Sequence, residues 1–100
     1  MENLDVATFK EKIKSDANAV LIDVRHPDEE IEGQIEGAVN MNIMEASFPS
    51  RVVDLDASKK YYVFCRSGAR SANACQYMEQ NGLTAYNLKG GIQAWNQSEK

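Results

Sequence analysis

The sequence predicts an α/β domain built on a mostly parallel sheet with helices on both faces. Three observations carry that prediction. Short β-rich runs alternate with helical patterns along the chain. Residues 20–24 and 61–65 are apolar on both faces, as strands are when a parallel sheet is covered on each side. The connections are short and often marked by Gly or Pro.

Each element has its own signal. Val6, Phe9 and Ile13 fall at helical spacing, with Asp5 or Thr8 placed to cap. Val20-Leu21-Ile22-Asp23-Val24 is a buried-strand pattern. Pro27-Asp28-Glu29-Glu30 has an early proline and acids at the positive end of a first helical turn. Ala38-Val39-Asn40-Met41-Asn42 alternates apolar and polar and reads as another strand. Pro49 interrupts residues 43–58, where one or two short helical turns are expected. Tyr61-Tyr62-Val63-Phe64-Cys65 is the strongest strand. Residues 69–81 form the strongest helix, with Gly82 as its stop and Ala72, Cys75 and Met78 as its buried face. Thr84-Ala85-Tyr86-Asn87-Leu88 is a last strand, and Gly90-Gly91 turns into a short helix over 92–95.

Length and composition bound the function. One hundred residues make one domain, 1–100, and 43% hydrophobic residues are enough for a core. No apolar run approaches the roughly 20 residues of a membrane-spanning helix, so no membrane role is expected. The net charge of −4 argues against a nucleic-acid partner. Residues 1–60 carry 7 basic and 13 acidic side chains, whereas residues 61–100 carry 4 and 2. The locally positive stretch lies around Arg66 and Arg70 and suits a small anionic substrate. The two cysteines, Cys65 and Cys75, fit neither a disulfide framework nor zinc spacing, and no metal or other cofactor is expected. Residues 1–5 show no basic or apolar leader, which makes a reducing cytoplasm the default, and the start at Met1 favours a whole protein.

The chemistry concentrates at Cys65. It ends an apolar strand, and Arg66-Ser67-Gly68-Ala69-Arg70-Ser71 leads into a helix. Ligands of open α/β sheets bind at the carboxyl ends of strands. Backbone N–H groups without helical partners gather there, and with the helix dipole they favour a thiolate. Arg66 and Arg70 add positive charge, and Gly68 lets several amides turn toward one point, forming an anion-binding nest. Cys75, mid-helix on the apolar face, reads as a buried structural thiol.

The segment from Cys65 to Ser71 resembles the active-site loop of the rhodanese family of sulfurtransferases. The likeness extends to Leu21-Ile22-Asp23-Val24-Arg25, to Pro27-Asp28-Glu29-Glu30 with the following Gly33 to Asn40, and to Leu88-Lys89-Gly90-Gly91-Ile92-Gln93-Ala94-Trp95. The family usually has His where Gln34 stands and often an aromatic where Ile31 stands; neither departure touches the loop. The resemblance implies a rhodanese-like three-layer α/β/α domain with a roughly five-stranded sheet. It implies an enzyme in which the Cys65 thiolate takes a sulfane sulfur from a donor such as thiosulfate. The persulfide then passes that sulfur to cyanide in an assay, or to a thiol protein in the cell. Ser67, Gly68 and Ala69 would bind substrate with Arg66 and Arg70.

The roles of the surrounding residues follow from position. Arg66 faces solvent, as an attractor of anionic donors or an ordinary surface charge. Arg70 lines the pocket or braces the loop against a carboxylate. Asp23 and Arg25 end the neighbouring strand near the mouth and, with Ser71, support the loop. No catalytic role is expected for His26, and Trp95 and Tyr86 are core. The acidic run from Asp28 to Glu36 is a solvated face or a site for a basic partner protein. A monomer or weak dimer is expected. Rival readings are a persulfide carrier or interaction module serving one partner, and a loop-cysteine phosphatase or arsenate reductase. The latter enzymes use a Cys-x5-Arg loop, whereas Cys65 to Arg70 is Cys-x4-Arg and better sized for one sulfur atom.

Overall fold

A computed structural model describes all 100 residues. The elements are β1 (Glu2–Leu4), α1 (Val6–Ser15), β2 (Ala19–Asp23), a 3-10 helix (Pro27–Glu32), β3 (Val39–Asn40), α2 (Phe48–Val53), β4 (Lys60–Phe64), α3 (Ala69–Gln80), β5 (Thr84–Leu88) and α4 (Gly91–Ser98). The five strands form one sheet in the order β1-β5-β4-β2-β3, and every pairing is parallel.

Side-chain alternation in β4 divides the core into two halves. Tyr61, Val63 and Cys65 face one side, where Phe48 and Val52 of α2 and Ala74, Cys75 and Met78 of α3 cover them. Tyr62 and Phe64 face the other, against Phe9 of α1 and Ile92 of α4. Helices on both faces complete the three layers. Asp5 caps α1 by accepting from the Thr8 N–H at 2.9 Å, so of the two candidate caps it is Asp5 that serves.

Several boundaries differ from the sequence reading. Pro49 does not interrupt a helix; it sits in the first turn of α2, where its missing N–H costs nothing. The strand expected over 38–42 is only Val39–Asn40, because the chain then follows the end of β2 irregularly, with Met41 N–H donating to Asp23 O and Ile43 N–H to Val24 O. The buried face of α3 is Ser71, Ala74, Cys75 and Met78, and Ala72 is only half-buried. The edge strand β1 has no alternating apolar signal and was not foreseen. It is held by pairing with β5 in the register Glu2 to Tyr86.

This topology fixes where a ligand site belongs. From β2 the chain moves outward to β3, and from β4 it moves the opposite way to β5. The carboxyl ends of the adjacent strands β2 and β4 therefore flank the switch point, where the connecting loops diverge and leave a crevice. Asp23 to Arg25 and Phe64 to Cys65 lie there.

Candidate active site

Cys65 is the first residue beyond β4, and its sulfur is held inside the loop that follows. The Gly68 N–H donates to Sγ at 3.1 Å, and Ser71 Oγ lies 3.2 Å from it. The residue is only 1% exposed. Gly68 adopts φ +109°, a conformation that glycine takes without strain, and this turn brings its amide onto the sulfur.

The loop can present amides to one atom because its carbonyls are occupied elsewhere. Ile92 N–H donates to Cys65 O at 2.8 Å and Gln93 N–H to Arg66 O at 3.2 Å, so the first turn of α4 captures two of them. Gly68 O accepts from Ala72 N–H of α3 and from Asn87 Nδ2. With these oxygens turned away, donors dominate the field at the sulfur. The close approach of α4 requires Gly91, where a Cβ would overlap the carbonyls of Cys65 and Arg66.

The electrostatic outcome differs between the two cysteines. Burial pushes the Cys65 thiol up. Hydrogen bonds from the Ser71 hydroxyl and from the backbone N–H groups of Ser71, Gly68 and Ser67 more than offset this, and the net shift is downward. Cys75 is buried with no such donors, and burial, followed by the charge of Glu79, pushes it up to about 12. A depressed native pKa means that folding favours the thiolate. This contribution to stability is present above the unfolded-chain pKa and is lost as the pH falls through the folded one. In a Cys75→Ala protein the thiolate absorbance of Cys65 is therefore expected to titrate at lower pH when folded than in denaturant. Coincident midpoints would show that the loop does not stabilise a thiolate.

The arginines are placed differently from a simple positive collar. Arg66 is half-exposed, and its Nε lies 3.4 Å from Glu32 Oε1. Arg70 makes two hydrogen bonds to Glu29, at 2.7 and 2.8 Å, so of the two roles considered it is the brace against a carboxylate that the geometry contains. Hydrogen bonding to Arg70, opposed by burial and aided by the His26 N–H, holds Glu29 down to about 2. Both guanidinium groups thus spend their charge first on carboxylates, and the lowered Cys65 pKa comes from hydrogen-bond donors.

Asp23 and Arg25 do not face the mouth. Both are fully buried, with Arg25 Nε and Nη2 each 2.9 Å from the Asp23 carboxylate. Arg25 also donates to the carbonyls of Glu29 and Gly33, and Gln34 Nε2 reaches Asp23 Oδ2 at 3.3 Å. This pair secures the Pro27–Glu32 segment. Its link to the cysteine loop is indirect and runs through Glu29 to Arg70. His26 caps that segment, accepting from the Asp28 N–H.

Glu29 is not part of the solvated acidic face that its place in the run Asp28 to Glu36 suggests; its partner Arg70 lies 41 residues away and leaves no local trace in the sequence. A further site residue that the sequence reading missed is Asn87, a buried amide that touches Ser71, Gly68 and Asn3. The available signal was a polar residue within a buried strand. Ser67, Gly68 and Asn87 line a polar depression of about 390 Å3, which is completed by Asn3, Ala72, Lys89 and Gly90. Cys65 is not part of its wall. No helix is long and apolar enough to cross a membrane.

The Rhodanese-like domain family profile matches residues 5–98. The chain is 39% identical to the Bacillus subtilis protein YtwF over 95% of its own length and 90% of that protein's. It is 31% identical to a protein of Allochromatium vinosum named sulfurtransferase, covering 95% of this chain and 88% of the relative. Among solved structures, a rhodanese-related protein of Thermoplasma volcanium superposes with a TM-score of 0.85 at 34% identity, over 98% of this chain and 93% of the other.

Proposed function

The chain belongs to the rhodanese-like domain family, and on that premise we propose that it is a sulfurtransferase working through a persulfide on Cys65. The observation that carries the reading is a cysteine sulfur at the switch-point crevice, held by the Gly68 amide and the Ser71 hydroxyl, with the loop carbonyls turned away. The Cys65 thiolate attacks the sulfane sulfur of a small anionic donor such as thiosulfate. A sulfur–sulfur bond forms to Sγ, the donor's own sulfur–sulfur bond breaks, and sulfite leaves with that electron pair. The outer persulfide sulfur is then taken by a thiophilic acceptor, cyanide in an assay or a thiol protein in the cell, which returns the thiolate. Splitting the transfer into two displacements is nucleophilic catalysis, and it requires no general base once Cys65 is ionised. Thiosulfate as donor is suggested by a 30% identical relative named thiosulfate sulfurtransferase, from Shewanella oneidensis.

Intact mass after incubation with thiosulfate tests the proposal. One added sulfur atom is expected on the wild type and on Cys75→Ala, and none on Cys65→Ser. No adduct on folded wild type from thiosulfate would remove thiosulfate as donor, and none from any sulfane-sulfur compound would remove the sulfur-transfer reading itself.

Arg66 offers a second test. It is 55% exposed and already faces Glu32, so its pull on an anionic donor is screened. Arg66→Glu is expected to raise KM for thiosulfate with kcat little changed, by an amount worth about 1 kcal/mol or less. The effect should shrink in high salt. An unchanged KM at low ionic strength makes Arg66 an ordinary surface charge.

A further inference from the structure

One buried group close to the sulfur has so far only the task of holding the Gly68 carbonyl. Asn87 of β5 is 3% exposed and touches Ser71, which in turn touches Cys65. Its orientation is fixed by its neighbours. Nδ2 lies 3.1 Å from Gly68 O and 2.8 Å from Asn3 Oδ1. A carbonyl can only accept, so the amide nitrogen must face Gly68 and Oδ1 must face Ser71. Ser71 Oγ, 2.5 Å from that Oδ1 and 3.2 Å from Cys65 Sγ, has one proton and two candidate acceptors.

We propose that Asn87 is a positioning residue that competes with the Cys65 sulfur for the single Ser71 hydroxyl proton and so opposes thiolate formation. The inference rests on reading Cys65 as the sulfur-bearing nucleophile. With a thiol, the arrangement is complete: S–H donates to Ser71 Oγ, and Ser71 O–H donates to Asn87 Oδ1. With a thiolate, the hydroxyl turns to the sulfur, and Asn87 Oδ1 loses the Ser71 donor. In the persulfide the charge resides on the outer sulfur and Sγ is neutral, so the hydroxyl returns to Asn87. The network therefore disfavours the bare thiolate relative to the loaded state and favours loading. Other charged or titratable groups around Cys65 are Arg66 and Arg70 of the loop with Glu32 and Glu29, the Asp23–Arg25 pair ending β2, Cys75 on α3, and Lys89 after β5. Substituting only Asn87 and Ser71 in a common Cys75→Ala parent leaves these other groups unchanged.

The experiment is a two-by-two comparison of the Cys65 thiolate midpoint with and without Asn87→Ala and Ser71→Ala. With Ser71 present, Asn87→Ala is expected to lower the midpoint by about one unit, the equivalent of one hydrogen bond no longer lost on ionisation. With Ser71→Ala, the same substitution should leave the midpoint unchanged. A merely structural role, acting through Gly68, would shift both backgrounds alike. That result, or an upward shift with Ser71 present, overturns the proposal. If Asn87→Ala does not fold, the side-chain amide resonances of Asn87 in the Cys75→Ala parent decide. They should titrate with Cys65 and become independent of pH when Ser71→Ala is introduced, and failure to titrate overturns the proposal. Neither readout uses a sulfur donor, so failure here is distinct from failure of the sulfurtransferase reading.

Discussion

Cys65→Ser is expected to abolish sulfur transfer from thiosulfate to cyanide, with a loss of at least about 10³-fold, whereas Cys75→Ala retains most of the activity. The contrast follows from what surrounds each sulfur. Cys65 Sγ accepts from an amide and lies against a hydroxyl at the crevice between β2 and β4. A serine there fits the same space, but its hydroxyl stays protonated and forms no persulfide. Cys75 is fully buried among Ala74, Met78 and the inner face of the sheet. Alanine is the appropriate control at that position, because serine would bury a hydroxyl at a cost of about 1–3 kcal/mol and confuse stability with activity. Steady-state thiocyanate formation by variants of verified thermal stability decides the matter. Equal loss in folded Cys65→Ser and Cys75→Ala would contradict a mechanism that uses one cysteine.

The two variants also show what was legible in the sequence. The strands 20–24 and 61–65 and the helix after Cys65 announce themselves through apolar periodicity, and that is enough to put the cysteine at a strand end opening into a helix. The glycines at 68, 90 and 91 mark turns, and all three take positive φ. What the sequence did not reveal depends on contacts between distant segments. Glu29 meets Arg70 across 41 residues, and Asn87 meets Asn3 across 84. Nothing local distinguishes Glu29 from the other acids of its run. Asp23 and Arg25 were recognised as a supporting pair, but their depth was not, since charged residues are rarely expected to be fully buried. For Arg70 the sequence leaves open whether it lines the pocket or braces the loop, because a count of charges takes no account of the carboxylates that meet them: Glu29 meets Arg70, and Glu32 meets Arg66.

That buried pair sets the largest expected effect on stability. Arg25→Met removes the only guanidinium beside the Asp23 carboxylate and also strips the Glu29 and Gly33 carbonyls of their donor. The carboxylate keeps the Arg25 N–H at 3.0 Å and Gln34 Nε2 at 3.3 Å, which do not replace a charge. Breaking a buried ion pair from one side costs about 3–5 kcal/mol. For a domain whose total stability is about 5–15 kcal/mol, the melting temperature should fall by about 15–30 °C. Removing both charges is a different experiment. Asp23→Leu with Arg25→Met leaves no unpaired ion, so the double variant should be more stable than Arg25→Met alone, although the two carbonyls still lack their donor. Thermal melts of the three proteins at one pH provide the comparison. A single variant that melts within a few degrees of wild type would show that the pair does not hold the Pro27–Glu32 segment. The same substitution should loosen Glu29, whose carboxylate positions Arg70 against the cysteine loop, so sulfur transfer per folded molecule should also fall. Full activity in the folded fraction would confine Arg25 to stability and break the proposed chain from β2 to the sulfur.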